Sequence, residues 1–113
     1  MLKNNPQAWH KAIAQPAKEF ATTPLKVLSG KVPTDLNGTY FQNGTGRLQR
    51  GQQSAGHWFD GDGAILRVGI GEGKATGTYR YVKTKGYLEE SAANEFLYSN
   101  YGRRYPGPLW KHI

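Results

Sequence analysis

At 113 residues the chain has the size of one small domain. It contains no cysteine, which excludes a disulfide framework and any thiolate metal site. Lysine and arginine outnumber aspartate and glutamate 15 to 8, for a formal net charge of +7, but the basic residues are spread out. Their tightest cluster is Arg103-Arg104, which is the pattern of a solvated surface more than of a nucleic-acid or anionic-membrane footprint.

No apolar run approaches the roughly 18 residues that a membrane span needs. The opening stretch MLKNNPQAWHKAIAQP lacks the apolar centre of a secretory signal, so the expectation is a soluble, cytoplasmic chain. Over 6–20, Trp9, Ala12, Ile13, Ala17 and Phe20 recur at spacings of three and four and predict a short helix, which Pro16 ends or kinks. An irregular connection through Pro24 follows. LKVLSG (25–30) reads as a strand ending at a glycine, and Pro33 and Asn37-Gly38 mark a turn. GTYFQN (38–43) reads as a strand, with Asn43-Gly44 as the next turn.

HWF (57–59) reads as a short strand. AILRVGI (64–70) alternates, with Leu66, Val68 and Ile70 on one face and Arg67 on the other. GEG (71–73) is a turn, and KATGTYRYVKT (74–84) is a long strand with Tyr79 and Tyr81 opposite Arg80 and Val82. YLEESAANEFLY (87–98) has room for a helical turn, and the glycine-, proline- and aromatic-rich tail reads as a loop. Short strands at regular spacing, cornered by glycines, give an all-β expectation: sandwich, barrel or propeller.

The stretch HWFDGDG (57–63) invites a metal reading that fails on spacing. As a calcium loop, Asp60 and Asp62 fill the first two ligand positions, but Ala64 and Gly71 stand where further oxygen ligands are required. As a transition-metal site, His57 has no neighbouring histidine, since His10 and His112 lie near the two ends. A lone histidine beside Trp58 and Phe59 reads as a packed or hydrogen-bonded residue, and DGDG reads as a hairpin turn whose acids accept backbone N–H groups. GIGEGKAT matches no phosphate-binding loop. Asn37-Gly-Thr39 and Asn43-Gly-Thr45 match the glycosylation rule but read as turns. No G-x-S-x-G elbow occurs, and the adjacent carboxylates Glu89 and Glu90 diverge on a helix or a strand. The tail interleaves Tyr98, Tyr101, Tyr105 and Trp110 with Arg103, Arg104 and Lys111, the composition of a single-strand grip. It also holds two prolines and matches no known module, so nucleic acid is not the expected partner.

Three ordered blocks carry a more specific signal: LSGKVPTDLNGTYFQNGTGR (28–47), HWFDGDGAIL (57–66) and GKATGTYRYVKTKGYLEE (73–90). Together they resemble the N-terminal part of the carotenoid cleavage oxygenases, the family that includes apocarotenoid oxygenases and the retinal pigment epithelium isomerase. The match covers nearly the whole chain and is weakest before Pro24. Gln42 stands where the family usually has arginine, Thr45 where it has proline, and Gln52 where a second glycine is common.

The resemblance implies a seven-bladed β-propeller with iron(II) on its axis, held by four histidines with glutamates behind them. The activity it implies is O₂-dependent cleavage of one double bond of a carotenoid or apocarotenoid into two carbonyl products. Substrate is implied to enter through an apolar tunnel, with peripheral membrane contact. None of His10, His57 and His112 falls at a family ligand position, so no residue here is assigned as catalyst, cofactor binder or metal ligand. HWFDGDG is then framework.

The expectation is residues 1–24 as a short helix and connection and 25–113 as a partial propeller, about one blade plus flanking strands. It is a truncated piece that alone binds no iron, cleaves nothing and aggregates through its open faces. Two rivals remain: a non-catalytic basic β module that binds a partner or single-stranded nucleic acid through the tail, and a degenerate product without function.

Overall fold

A computed structural model describes residues 15–99 and 101. Its elements are β1 (Phe20–Pro24), β2 (Gly38–Arg47), β3 (Gln49–Arg50), β4 (Gln53–Ser54), a 3₁₀ turn (Trp58–Asp60), β5 (Asp62–Gly71), β6 (Lys74–Tyr81) and α1 (Lys85–Ala93). The class is all-β with one short α-helix among the described residues. The helix expected over 6–20 falls mostly outside the described residues, and the irregular connection expected through Pro24 is instead strand β1, Phe20–Pro24, which pairs with β6.

The chain divides into two compact units. One comprises Lys18–Gly44 and Gly63–Tyr81 and carries most of a four-stranded sheet of order β1-β6-β5-β2. β5 and β6 pair antiparallel without a break from Ala64↔Tyr81 to Gly71↔Lys74. Their two-residue turn is Glu72-Gly73, both in the left-handed region at φ 53° and 73°, the geometry that matches the right-handed twist of a hairpin. The alternation read in the sequence holds. Leu66, Val68 and Ile70 lie across from Tyr79, Gly77 and Ala75, while Ile65 and Arg67 lie across from Arg80 and Thr78 on the other face.

β1 joins β6 antiparallel, with Phe20 opposite Tyr79 and their rings stacked at 6.1 Å. Glu19 accepts the Tyr81 N–H at 2.9 Å, so the strand end is satisfied by a side chain. Leu25 N–H still donates to Ala75 O at 2.9 Å, and its side chain lies over Gly77, where an added Cβ would come within 2.9 Å of Leu25 Cδ2.

Three expectations are corrected here. Residues 25–30 are not a strand: after Leu25 the chain leaves β6 and bends at Ser29-Gly30, with Gly30 at φ 71°. Asn43-Gly44 is not a turn, because β2 runs through it to Arg47 and Gly44 is not among the positive-φ residues. The strand expected over 74–84 stops at Tyr81, and Thr84 instead caps α1, its Oγ1 accepting the Tyr87 N–H at 3.1 Å.

The other unit holds Thr45–Asp62, the described residues from Val82 on, and residues 15–17. β3 and β4 form a small hairpin, Arg50↔Gln53, turned at Gly51 with φ 52°. The helical turn expected within 87–98 is a full helix over 85–93, closed by Asn94 in the left-handed conformation at φ 53°. Leu48 and Phe96 are buried in this unit, and so are two charged residues, Arg50 and Glu90.

Candidate functional site

HWFDG (57–61) is neither a strand nor a hairpin turn, and Asp62-Gly63 open β5. His57 is extended, and its imidazole Nδ1 accepts the Phe59 N–H at 3.1 Å, capping the 3₁₀ turn Trp58–Asp60. The His57 ring packs on Phe59 at 5.0 Å and on Tyr101 at 5.8 Å. The ring nitrogen that accepts the amide is therefore committed to the turn. Asp60 Oδ1 accepts the Tyr101 N–H at 3.0 Å, and Thr45 Oγ1 donates to Trp58 O at 2.9 Å. Gly61 has an ordinary extended conformation, φ −73° and ψ 160°, yet it lies hard against Thr45, Arg47 and Leu48.

Asp62 has a different role from Asp60. Its Oδ2 accepts from Arg50 Nη2 at 2.6 Å, and Arg47 Nε lies 3.8 Å away. Arg50 is only 2% exposed. Its Nε faces Glu90 Oε2 at 3.9 Å, an ion-pair distance too long for a hydrogen bond, and the guanidinium lies over the Tyr87 ring at 5.1 Å and the Phe96 ring at 6.0 Å.

Glu90 Oε1 accepts the N–H groups of Leu97 at 3.0 Å and Tyr98 at 3.2 Å, and Gln53 Oε1 accepts that of Phe96 at 2.7 Å. The segment after α1 is thus held by side-chain acceptors in place of a ladder. Glu89 points elsewhere, to the Tyr98 hydroxyl and to Lys85 Nζ at 3.8 Å, the divergence expected of adjacent carboxylates. The Tyr98 hydrogen bond to Glu89 raises the phenol's pKa above its ordinary value.

Burial raises the Asp62 pKa above the ordinary 3.8, against the opposing pull of Arg50 and Arg47. The folded state therefore holds that proton more readily than the unfolded chain. Its stabilising contribution is complete below 3.8 and is lost as pH rises through the window above it. In urea titrations across that window, wild type is expected to lose stability relative to Asp62→Asn as pH rises. A relative gain would show that the arginines outweigh burial.

The described side chains do not fit the iron that the resemblance implies. Among the described residues no group of three or more His, Cys, Asp or Glu is placed to hold a metal ion. Asp62 and Glu90 face Arg50, and His57 caps a turn. His10 and His112 lie outside the described residues, as do Arg103, Arg104, Tyr105, Trp110 and Lys111 of the tail. Of the aromatic tail residues, Tyr98 and Tyr101 are described, and both are engaged, with Glu89 and with His57 and Phe59. No helix among the described residues is long and apolar enough to cross a membrane. The sequence gives no separate sign of the Arg50–Glu90 contact, because it names neither partner for the other.

The model of the retinal pigment epithelial membrane protein family fits residues 13–112. The apocarotenoid-15,15'-oxygenase of Synechocystis sp. is 31% identical over 107 residues, which is 94% of this chain and 22% of that protein. The human beta,beta-carotene 15,15'-dioxygenase is 32% identical over 82 residues, 72% of this chain and 15% of its own length. A structure of a Synechocystis ACO mutant superposes with a TM-score of 0.79 at 31% identity, over 96% of this chain and 23% of the other. Cobalt-substituted Synechocystis ACO gives 0.69 at 31% identity, over 80% and 19%.

The chain belongs to the carotenoid cleavage oxygenase family and corresponds to its N-terminal part. It spans about a fifth of the length of the apocarotenoid oxygenase that it matches.

Proposed function

We propose that this chain is a framework segment of an iron(II)-dependent carotenoid or apocarotenoid cleavage dioxygenase. Its four-stranded sheet is one blade of a β-propeller, together with parts of its neighbours. The whole protein adds O₂ across one polyene double bond, one oxygen atom to each carbon, and releases two carbonyl products. This segment supplies no metal ligand. It orders the HWFDGDG turn through His57, Asp60 and the Arg50–Asp62 pair. On its own it binds no iron(II) and cleaves nothing.

The observation that carries the reading is the likeness to Synechocystis apocarotenoid oxygenase, at 31% identity and a TM-score of 0.79 over 96% of the chain. The names of the matched relatives support the substrate class, and the cobalt-substituted relative supports a metal site in the whole protein. The test is a segment exchange, in which residues 13–112 replace the matched part of the Synechocystis enzyme. The hybrid is expected to load iron(II) and to cleave an apocarotenoid. A hybrid that folds and loads iron but cleaves nothing would overturn the framework assignment.

A further inference from the structure

The tripeptide Asn-Gly-Thr occurs twice, at 37–39 and at 43–45. Asparagine before glycine is open to ring closure on itself, because glycine carries no side chain to keep its nitrogen from the amide carbon of the residue before it. The attack needs the asparagine backbone to rotate out of the extended form, so a paired strand opposes it. With identical residues at both sites, the fold sets the difference between them.

Asn43-Gly44 lies inside β2, with strand on both sides. Asn37 lies outside every strand, and Gly38 is the terminal residue of β2, where a ladder opens most readily. The residues before it form a turn in which Leu36 N–H donates to Pro33 O at 3.3 Å. Asn37 Nδ2 donates to Asp35 O at 3.5 Å, too long to hold the amide firmly. Two acid-glycine pairs have the atoms for the same ring, but both are restrained. Asp60 Oδ1 accepts the Tyr101 N–H, Gly61 is packed against Thr45, Arg47 and Leu48, and Asp62 is bound to Arg50.

We propose that Asn37 is a site of spontaneous modification, converted by its own neighbour to aspartate and isoaspartate. The Gly38 nitrogen bonds to Asn37 Cγ and gives up its proton to the departing amide nitrogen. The Cγ–Nδ2 bond breaks, ammonia leaves and a succinimide remains. One water then opens the ring at either carbonyl. No oxidant, reductant or second protein takes part. The site gives the change its consequence. A Cβ on Gly71 would come within 3.1 Å of Asn37 Oδ1, and one on Gly73 within 3.4 Å of Thr34 Cγ2, so 34–37 packs on the turn end of the β5–β6 hairpin. Either product places a carboxylate there, beside the turn that contains Glu72. Isoaspartate also lengthens the main chain by one carbon at the entry to β2.

The test incubates the full chain in mildly alkaline buffer, with and without urea, and follows the tryptic peptide 32–47 by tandem mass spectrometry. In urea the two asparagines are expected to convert at comparable rates, since their tripeptides are identical. In native buffer Asn43 is expected to fall behind Asn37 by about tenfold or more, the rate equivalent of the ladder bonds that must open first. The hybrid enzyme, in which the segment has its neighbours, is expected to give the same order. Labelling by an isoaspartate methyltransferase is expected at residue 37 and is lost in Asn37→Gln, whose longer side chain closes the ring poorly. A ratio of rates that is the same in urea and in native buffer, a faster Asn43 in the chain or the hybrid, or stronger labelling at residue 60 or 62 than at 37 would each overturn the proposal.

Discussion

Replacing Arg50 with methionine is expected to destabilise the chain by about 3–5 kcal/mol, the usual cost of removing one partner from a buried ion pair. Whole domains are held by only about 5–15 kcal/mol, so urea unfolding should show a large fall in midpoint. The reason lies in what stays behind. Asp62 and Glu90 keep their places without Arg50, because Asp62 opens β5 and Glu90 still accepts the Leu97 and Tyr98 N–H groups. Their negative charges would then sit in a partly buried site that has lost its nearest cation. Methionine retains the apolar stem and a contact with Tyr87 and Phe96, so the loss reports charge more than volume.

The companion variant changes Arg50→Met, Asp62→Asn and Glu90→Gln together. It is expected to lose less than the sum of the three single changes, since Arg50 and the two carboxylates that face it are neutralised together. A single Arg50→Met loss below about 1 kcal/mol, the worth of an exposed pair, would show that the network is solvated in practice.

The parts of the fold that read from sequence are those fixed by local pattern. The period of two in 64–70 and 74–81, with Gly71-Glu72-Gly73 between, determines the β5–β6 hairpin and its faces, because a one-residue slip would turn every apolar side chain over. The motif blocks likewise locate the family. What failed was local signal that tertiary pairing overrides. Asn43-Gly44 has the composition of a hairpin turn, but β2 continues through it and the positive-φ turn falls on Glu72-Gly73.

Trp58 and Phe59 have strand propensity, which depends on a neighbouring strand to be realised. Here His57 offers a capping nitrogen instead and the backbone curls. The charge network was beyond reach for the same reason. Asp62 reads as a turn acid until Arg50, 12 positions earlier, is seen to point at it. Glu90 lies further along still, and only the packing of α1 brings it to the same guanidinium.

Gly61→Ala is expected to cost at least about 1–3 kcal/mol, the range for forcing atoms into a filled site, whereas Gly63→Ala in the same motif should stay within about 0.5 kcal/mol of wild type. Neither glycine has a left-handed backbone among the positive-φ residues, so conformational freedom does not separate them. Space does. A Cβ on Gly61 would overlap Thr45 Cγ2 and lie 2.6 Å from Arg47 O and 2.9 Å from Leu48 Cδ2. The threonine methyl and the leucine can turn away, but the Arg47 carbonyl is backbone at the end of β2, so relief requires the strand and the turn to separate. A Cβ on Gly63 meets nothing within 4 Å.

Thermal or urea unfolding of the two variants decides the matter. Equal losses would mean that the glycines serve the backbone, and a tolerated Gly61→Ala would mean that the turn can lift off β2 at little cost. With the expected asymmetry, three residues of FDGDG have separate tasks. Asp60 takes the Tyr101 amide, Gly61 lets the turn lie on β2, and Asp62 holds Arg50. The motif then works as a joint whose tightness depends on its first glycine and second acid.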